Sequence, residues 1–348
     1  MRTRLMTGLA GLSLTLAASA LAPRLATAQA APALAPAEIA RTVAQVAAML
    51  ETRYVVPATG KRYAAAIRAH AAAGRYAAIT TPQALGERLT ADLQAVHADG
   101  HLRIVLPGGP APKASASAPA TPAPAEIAPG IIETRWLPGQ VAYIKFRGFS
   151  DSPATAAALK RFLVEHKDAR ALVIDSRDNG GGSFPVLGIL GDALYDREQP
   201  LVAMDLAKSV YDTFGSPWEP CPELRAAAAP AGLVRQVHWS VPARAAAPLG
   251  KVPVYYLTSK RTFSAAEHMA FALKVTGRAT LVGETTGGGN HFGGMEPVGA
   301  GLEMFVPTGR TSDLKSGRDW ERVGVAPNIA VPADQALDEA LRRIGAAD

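Results

Sequence analysis

The sequence has very little cysteine and few aromatic residues. Cys221 is the only cysteine in 348 residues, which excludes an intramolecular disulfide framework and a zinc site made of several thiolates. Aromatic residues make up 6% and hydrophobic residues 48%, so the core must consist largely of small and aliphatic side chains. This composition is typical of a globular chain with room for one large domain or two modest ones. We expect no cofactor, and a metal would have to be held by histidines and carboxylates.

The sequence also lacks, after its first residues, an apolar run long enough to span a bilayer. Arg2 and Arg4 precede an apolar run over residues 9–21, which is followed by small residues. This pattern is typical of a cleavable signal peptide, which we predict over residues 1–28. The alternative, a membrane anchor, would need about 20 apolar residues. Removing three arginines with this leader would halve the formal charge of +6, so nothing indicates a nucleic-acid partner. We predict a periplasmic or secreted protein without a stable membrane span.

The remaining chain divides by pattern into three parts. Apolar residues at helical spacing predict an N-terminal helical subdomain over 29–105. Residues 106–129 are rich in Pro, Ala and Ser and predict a linker. Strand and helix patterns alternate over 130–348, which indicates an α/β (α+β) core with parallel strands. Within it, residues 205–248 show no clear period and are interpreted as an insertion with short helices, either covering a site or inert.

Three clusters in the core follow predicted strands. The first, residues 175–182, ends in three glycines, which suit either a tight turn or the backbone amides of an oxyanion hole or phosphate cradle. The second, residues 258–267, places Ser264 where a helix begins, as a nucleophile or as an ordinary N-cap. The third, residues 283–291, is another glycine turn. Neither a Rossmann nor a P-loop pattern is present.

Together and in this order the clusters resemble the C-terminal processing (tail-specific) peptidase family, which has a crotonase-like or Clp-protease-like core. The segment W-E-x-V-G-V-x-P-N near the end adds to the resemblance, which extends over residues 36–345. The resemblance implies that Ser264 is the nucleophile. It also implies an oxyanion hole made by amides at Gly181 or Gly182 and at Ala265.

Two departures from the family pattern indicate a subgroup. No lysine follows the third glycine turn until Lys315, so a Ser-Lys dyad is missing, and residues 103–140 are too few for a PDZ domain. The chain therefore resembles the tricorn protease core and the repeats of interphotoreceptor retinoid-binding protein. This resemblance implies that His101, in Asp-Gly-His-Leu, is the base and that Glu321 orients it.

Other polar residues compete for places in the site. His291 is the second candidate for the base, and Glu284 and Gly288 are possible site-lining residues or simple turn residues. His97 lies one turn before His101 and is a further competitor. The remaining histidines have other predicted surroundings: His268 is expected to be packed in the serine's helix, and His70 and His166 are expected on solvated helix faces. Glu267 is expected to be an acidic residue in the first turn of the helix, where the helix dipole favours a negative charge.

The leading hypothesis is an exported serine endopeptidase that cleaves peptides or unfolded protein through an acyl-enzyme. The alternative is a catalytically silent module that binds an apolar ligand such as a retinoid or a fatty acid, as the resemblance to the retinoid-binding repeats implies. Crotonase-type chemistry on acyl-CoA fits the core but not an export signal, because CoA esters are cytoplasmic. Oligomeric state cannot be inferred from these patterns.

Overall fold

The computed structural model describes residues 33–108, 126–218, 221–245 and 249–345. The predicted leader, residues 1–28, and most of the predicted linker lie outside these residues. Among the described residues, no helix is both long and apolar enough to cross a bilayer. The described chain from Leu34 onward belongs to one compact unit.

The first described part is a layer of three helices followed by a short strand. Their bounds are α1 (Pro36–Arg53), α2 (Pro57–Ala72), α3 (Pro82–Val96) and β1 (Arg103–Val105). Each helix begins at a proline, whose fixed φ and missing N–H suit the first helical position. The Thr81 hydroxyl accepts the Ala84 N–H at the start of α3, as an N-cap does. We call α1–α3 the helical layer.

The rest of the chain alternates strands and helices. The next elements are β2 (Ile131–Leu137), β3 (Val141–Phe146), α4 (Pro153–Glu165), β4 (Ala171–Asp175) and α5 (Phe184–Leu194). They are followed by β5 (Gln199–Ala207), α6 (Lys208–Phe214), β6 (Leu224–Ala227) and β7 (Leu233–Ser240). The last are β8 (Val254–Thr258), α7 (Ala265–Val275), β9 (Thr280–Gly283), β10 (Phe292–Gly299), β11 (Leu302–Ser312), β12 (Ile329–Ala330) and α8 (Ala336–Gly345).

One sheet, here called the parallel sheet, has the strand order β12-β9-β8-β4-β3-β2. Its neighbours pair in parallel except β2, which runs antiparallel to β3. Every residue of β4 is buried, because α4, α5 and α7 contribute to the apolar cluster on one face and α8 to the cluster on the other. The predicted strand–helix alternation and the parallel pairing are therefore confirmed.

The second sheet, here called the antiparallel sheet, has the order β1-β11-β5-β7-β6, with β10 paired to β11 as well. Residues 205–248 include the short helix α6, as predicted, but they also contain the end of β5 and all of β6 and β7, which the sequence did not predict. Apolar residues of the helical layer form one buried cluster with β11, including Leu50, Leu89 and Met304. The separation of 29–105 from 130–348 as domains stays a prediction.

Candidate active site

Ser264 lies between β8 and α7 with an unusual backbone conformation. Its φ is +52° and its ψ is −121°, a region that non-glycine residues rarely adopt and that is concentrated at functional sites. Two contacts hold this turn: the Ser264 N–H donates to Glu267 Oε2 at 2.8 Å, and the Thr262 hydroxyl donates to the Ser176 carbonyl at 2.7 Å. The turn thus presents the Ser264 side chain to a cavity instead of continuing the strand.

The first glycine turn packs directly against Ser264. Gly181 has φ +100°, and a Cβ at this position would lie 2.7 Å from the Ser264 Cβ and 2.9 Å from the Ala265 nitrogen. The Gly181 N–H donates to Asn179 Oδ1 at 2.9 Å. Within the described residues, no acceptor is found for the N–H groups of Gly182 and Ala265. Two backbone donors are therefore available close to the serine.

His101 comes to the same cavity from the end of the helical layer. Its ring lies between two phenylalanines, with centroid distances of 4.8 Å to Phe263 and 5.0 Å to Phe305. Burial lowers the pKa of His101 to about 4, so the imidazole is neutral at pH 7. Its Nδ1 is buried and has no hydrogen-bond partner among the described residues. The stacking contacts rather than a carboxylate orient the ring.

Glu321 does not contact the His101 ring as the resemblance implied. Its Oε1 accepts the Gly100 N–H at 2.8 Å, and its Oε2 accepts the N–H groups of Asn290 at 2.8 Å and His291 at 3.0 Å. Burial raises the pKa of this carboxyl group above its usual value. Glu321 therefore holds the backbone next to His101, not the imidazole.

The third glycine turn is held by Glu267, which is fully buried. Glu267 Oε1 accepts the Gly288 N–H at 2.7 Å, and Oε2 accepts the Gly289 N–H at 2.8 Å together with that of Ser264. The prediction of a first-turn acid was correct in position but missed this function. One carboxylate links the turn that carries Ser264 to the third glycine turn.

The three possible site-lining residues do not line the cavity that holds Ser264. Glu284 is half-buried at the end of β9, where its backbone N–H donates to the Thr258 carbonyl. Gly288 is buried beneath Arg322, whose backbone a Cβ at Gly288 would approach to 2.9 Å. His291 is buried against Asp99, with 2.7 Å between His291 Nδ1 and Asp99 Oδ2.

Asp99, His291 and Glu321 have ligand atoms within 4.8 Å of one another, as a metal site would require. Three donors besides His291 point at Asp99: the hydroxyl of Tyr54 and the N–H groups of His101 and Leu102. Glu321 is likewise occupied by three backbone N–H groups. Donors aimed at both carboxylates oppose a bound cation, so the set is better described as a hydrogen-bonded ionic network.

The ring of Phe263 fills the space between two chain segments, around residue 100 and over residues 287–289. A Cβ at Gly100 would lie 3.3 Å from this ring, one at Gly287 2.7 Å and one at Gly289 2.2 Å. Glycine is required at these positions because the ring of the residue before Ser264 approaches the backbone so closely. The sequence pattern showed the glycines but not the ring they surround.

The cavity has a volume of about 1130 Å³, and its wall combines aromatic with charged side chains. Its aromatic lining residues are Phe184, Phe214, Trp218, Phe292 and Phe305. A smaller pocket of about 70 Å³ lies beside Ser264 and Ala265 and includes His268. His268 is buried as predicted, with its Nε2 3.0 Å from His238 Nδ1. A peptide or another ligand with apolar side chains would fit this wall.

Comparison with known proteins gives the relationship. The model of peptidase family S41 matches residues 140–331, more than half of the chain. The chain belongs to this family. A second model, the N-terminal domain of peptidase S41 in eukaryotic IRBP, matches residues 22–135. The family inferred from the motifs is therefore confirmed, and the second match agrees with the inferred subgroup.

Two curated relatives of this S41 family member are carboxyl-terminal processing peptidases of chloroplasts. That of Arabidopsis thaliana is 26% identical over 202 residues, which cover 58% of this chain and 33% of the relative. That of Tetradesmus obliquus is 26% identical over 193 residues, covering 55% of this chain and 35% of the relative. The chain spans about a third of the length of these relatives.

A solved structure shows the same fold over nearly the whole chain. It is that of a putative peptidase from Parabacteroides merdae, which is 15% identical, with a TM-score of 0.59. The match covers 89% of this chain and 97% of the other. The fold is thus shared with a protein of low sequence identity.

Sequence patterns missed several residues of this S41 site. Phe305 lies on β11, whose pairing with β1 could not be inferred from local spacing. Tyr54 reaches Asp99 from the end of α1 by a contact between distant segments. His166 was expected to be solvated, but it is buried between Phe162 and Trp136. Aromatic residues beside the motifs, Phe184, Phe263 and Phe292, are visible in the sequence, whereas Phe305 and Tyr54 lie far from any motif.

Proposed function

We propose that the protein is an exported serine endopeptidase with Ser264 as nucleophile and His101 as base. The observation that carries this proposal is that both side chains, which are distant in sequence, line one cavity. Membership of peptidase family S41 supports the reaction class. Peptides or unfolded protein are the proposed substrates, in keeping with the names of the curated relatives.

In the proposed reaction, the neutral imidazole of His101 takes the proton of the Ser264 hydroxyl as Ser264 Oγ attacks the peptide carbonyl. The oxyanion that forms accepts hydrogen bonds from the N–H groups of Gly182 and Ala265, which lack other acceptors within the described residues. Gly181 is less suited to this role because its N–H is bound to Asn179. His101 then gives the proton to the leaving amine, and water hydrolyses the acyl-enzyme.

The imidazolium formed in this step needs a nearby negative charge. Asp99 favours the charged form of His101, although burial dominates in the resting protein. We infer that the charge of Asp99 stabilises the imidazolium, while Phe263 and Phe305 fix the ring plane. Glu321 acts through the backbone of Gly100 in this proposal.

A fluorophosphonate probe tests the nucleophile. We expect the wild-type protein to be labelled at Ser264 and the Ser264→Ala variant to lose both labelling and peptide hydrolysis. Ser183→Ala is the matched control, because Ser183 is the second serine in the cavity lining. Labelling that persists in Ser264→Ala and disappears in Ser183→Ala would contradict the assignment.

The pH dependence tests the base. Because only neutral His101 accepts a proton and burial lowers its pKa to about 4, kcat/KM should rise as pH increases through that region. The measurement is the initial rate of peptide cleavage against pH, with labelling by the probe as a second readout. A rising limb near the ordinary histidine pKa of about 6.5 would contradict the assignment of His101.

A second candidate function is the binding of an apolar ligand, which the volume of the cavity and its five aromatic lining residues favour. The match to the IRBP N-terminal domain is compatible with it. The discriminating experiment is extraction of the purified protein for bound lipid, combined with an assay on casein. A bound fatty acid or retinoid without any turnover would favour the binding function.

Export rests on the leader pattern of residues 1–28. We propose cleavage near residue 28 and a periplasmic or secreted mature protein. Expression of the full chain followed by mass spectrometry of the exported fraction would measure the new N-terminus. A chain that keeps residues 1–28 and stays in the cytoplasm would contradict the proposal.

A further inference from the structure

The turn that carries His101 is held by two buried carboxylates. Asp99 Oδ1 accepts the N–H of His101 at 2.8 Å and that of Leu102 at 3.0 Å. Glu321 Oε1 accepts the N–H of Gly100 at 2.8 Å. Three successive backbone donors are thus bound by side chains, so the position of His101 depends on where these two carboxylates lie.

His291 lies between the two carboxylates. Its Nδ1 is 2.7 Å from Asp99 Oδ2 and 3.9 Å from Glu321 Oε2, and its own backbone N–H donates to Glu321 Oε2. The side chain is 5% exposed and does not line the cavity that contains Ser264. Its location suits an interaction with the carboxylates and not proton transfer with the serine.

The charge balance around His291 favours its protonated form. Two carboxylates buried without a counter-charge would be costly, and an imidazolium between them supplies one. Burial lowers the pKa of His291, but the hydrogen bond and charge of Asp99 and the charges of Glu321 and Asp319 outweigh it, so the pKa is raised. The pKa of Asp99 is correspondingly lowered to about 2, although burial opposes this.

The other titratable groups near His291 are few. Tyr54 of α1 donates to Asp99 at 2.7 Å, and its hydroxyl is 3.4 Å from His291 Nδ1. His97 and His101, from the segment that follows α3, feel the charge of His291 and are themselves disfavoured as cations by burial. His291 is therefore the group of this network best placed to carry the proton.

The third glycine turn connects this network to the nucleophile. Glu267 binds the N–H groups of Gly289 and Ser264, and Glu321 binds those of Asn290, His291 and Gly100. A change at His291 can therefore alter the placement of His101 relative to Ser264 without touching either side chain.

We propose that His291 is a positioning residue which, as a buried imidazolium between Asp99 and Glu321, fixes the turn that presents His101 to Ser264. The proposal rests on the proposed function, because it assumes that His101 is the base. It predicts that activity needs neutral His101 and protonated His291 together. The rate should therefore rise with pH through about 4 and fall as pH rises through the raised pKa of His291, above its ordinary value of about 6.5.

The first test is the His291→Gln variant, which removes the charge. We expect kcat to fall by about 10²-fold, as a small misplacement of a catalytic group does, with KM changed less than about twofold. The variant should also lose the descending limb of the pH profile. His70→Asn is the control, because it removes another histidine–carboxylate contact, 3.1 Å from Asp92, away from the cavity. A kcat within about twofold of wild type with both limbs unchanged would overturn the proposal.

A second variant decides the question if His291→Gln fails to fold. Asp99→Asn keeps an oxygen acceptor for the His101 and Leu102 N–H groups but removes the charge next to His291. The descending limb should then move to lower pH by about one unit or more. An unchanged limb in a folded Asp99→Asn protein would contradict a paired imidazolium.

A third readout is independent of hydrolysis. In ¹⁵N NMR of the histidine-labelled wild-type protein, we expect His291 to lose its second ring proton at a pH above the ordinary histidine value of about 6.5. Loss of that proton below this value would overturn the inference even if Ser264 is the nucleophile. Absence of labelling and turnover in the wild type, with His291 still protonated, would instead reject the proposed function alone.

Discussion

The parallel sheet and the helical layer contribute to the cavity in different ways. The parallel sheet positions Ser264 and the first glycine turn at the ends of β8 and β4, where strand, turn and helix follow one another in sequence. The helical layer contributes His101 through a turn that Asp99 binds locally and that contacts to the distant residues Phe305 and Glu321 hold in place. The nucleophile is thus fixed by local backbone geometry and the proposed base by tertiary packing.

The difference also appears in how each residue is oriented. Ser264 has a positive φ enforced by its turn, and Gly181 packs against it without room for a side chain. His101 has ordinary surroundings for a buried aromatic ring, between two phenylalanines. Changes to the backbone should therefore disturb the serine side, whereas changes to side chains should disturb the histidine side.

The largest effect is expected when His101, the contribution of the helical layer, is replaced. His101→Gln should lower kcat/KM by about 10²- to 10⁴-fold, the usual contribution of a general base. The unfolding free energy should also fall by about 1–3 kcal/mol, because the substitution removes both stacking contacts of the buried ring. Steady-state kinetics and thermal unfolding measure both effects. His97→Gln, in the same turn, is the control, and equal losses in the two variants would contradict the assignment.

A smaller effect is expected on the side of the parallel sheet. Gly181→Ala would force a side chain to within 2.7 Å of Ser264 Cβ at φ +100°. We expect a loss of about 10²-fold in kcat and about 1–3 kcal/mol in unfolding free energy. Gly180→Ala is the control, because a Cβ at Gly180 meets no atom within 4 Å. Wild-type behaviour of both variants would contradict the close packing of Gly181 against Ser264.

The smallest effect is expected when one stacking contact of the His101 ring is removed and the ring itself is kept. Phe305→Leu removes one face of the His101 sandwich, a contact of about 0.5–1.5 kcal/mol, so kcat/KM should fall about two- to tenfold. Met295→Leu is the control, since Met295 pairs with Phe305 across the strands but does not line the cavity. A loss as large as that of His101→Gln would mean that Phe305 does more than orient the ring.

The sequence predicted the parallel sheet well. The runs over residues 141–146 and 171–175 are strands, and the helix after Ser264 begins at Ala265, because burial on both faces and local capping leave clear patterns. Residues 205–248 were misread because β6 and β7 are stabilised by pairing with each other and with β5, and much of their surface is half-exposed. Such pairing leaves little periodic signal in a single chain.

The candidate site was predictable only in part. The motifs indicated Ser264, His101 and the glycine turns, and these line or border the cavity. They could not show that Glu321 binds the Gly100 N–H or that His291 pairs with Asp99. Each of these contacts joins two residues that lie about 200 positions apart in the sequence. Spacing in sequence carries no information on such contacts.

The ring of Phe263 has a consequence for how the two sides of the cavity depend on each other. It touches His101 on one side and the backbone of the third glycine turn on the other, and it directly precedes Ser264 in the chain. One side chain therefore supports both the proposed nucleophile and the proposed base. A substitution of Phe263 would disturb both residues at once, although the ring takes no part in the chemistry itself.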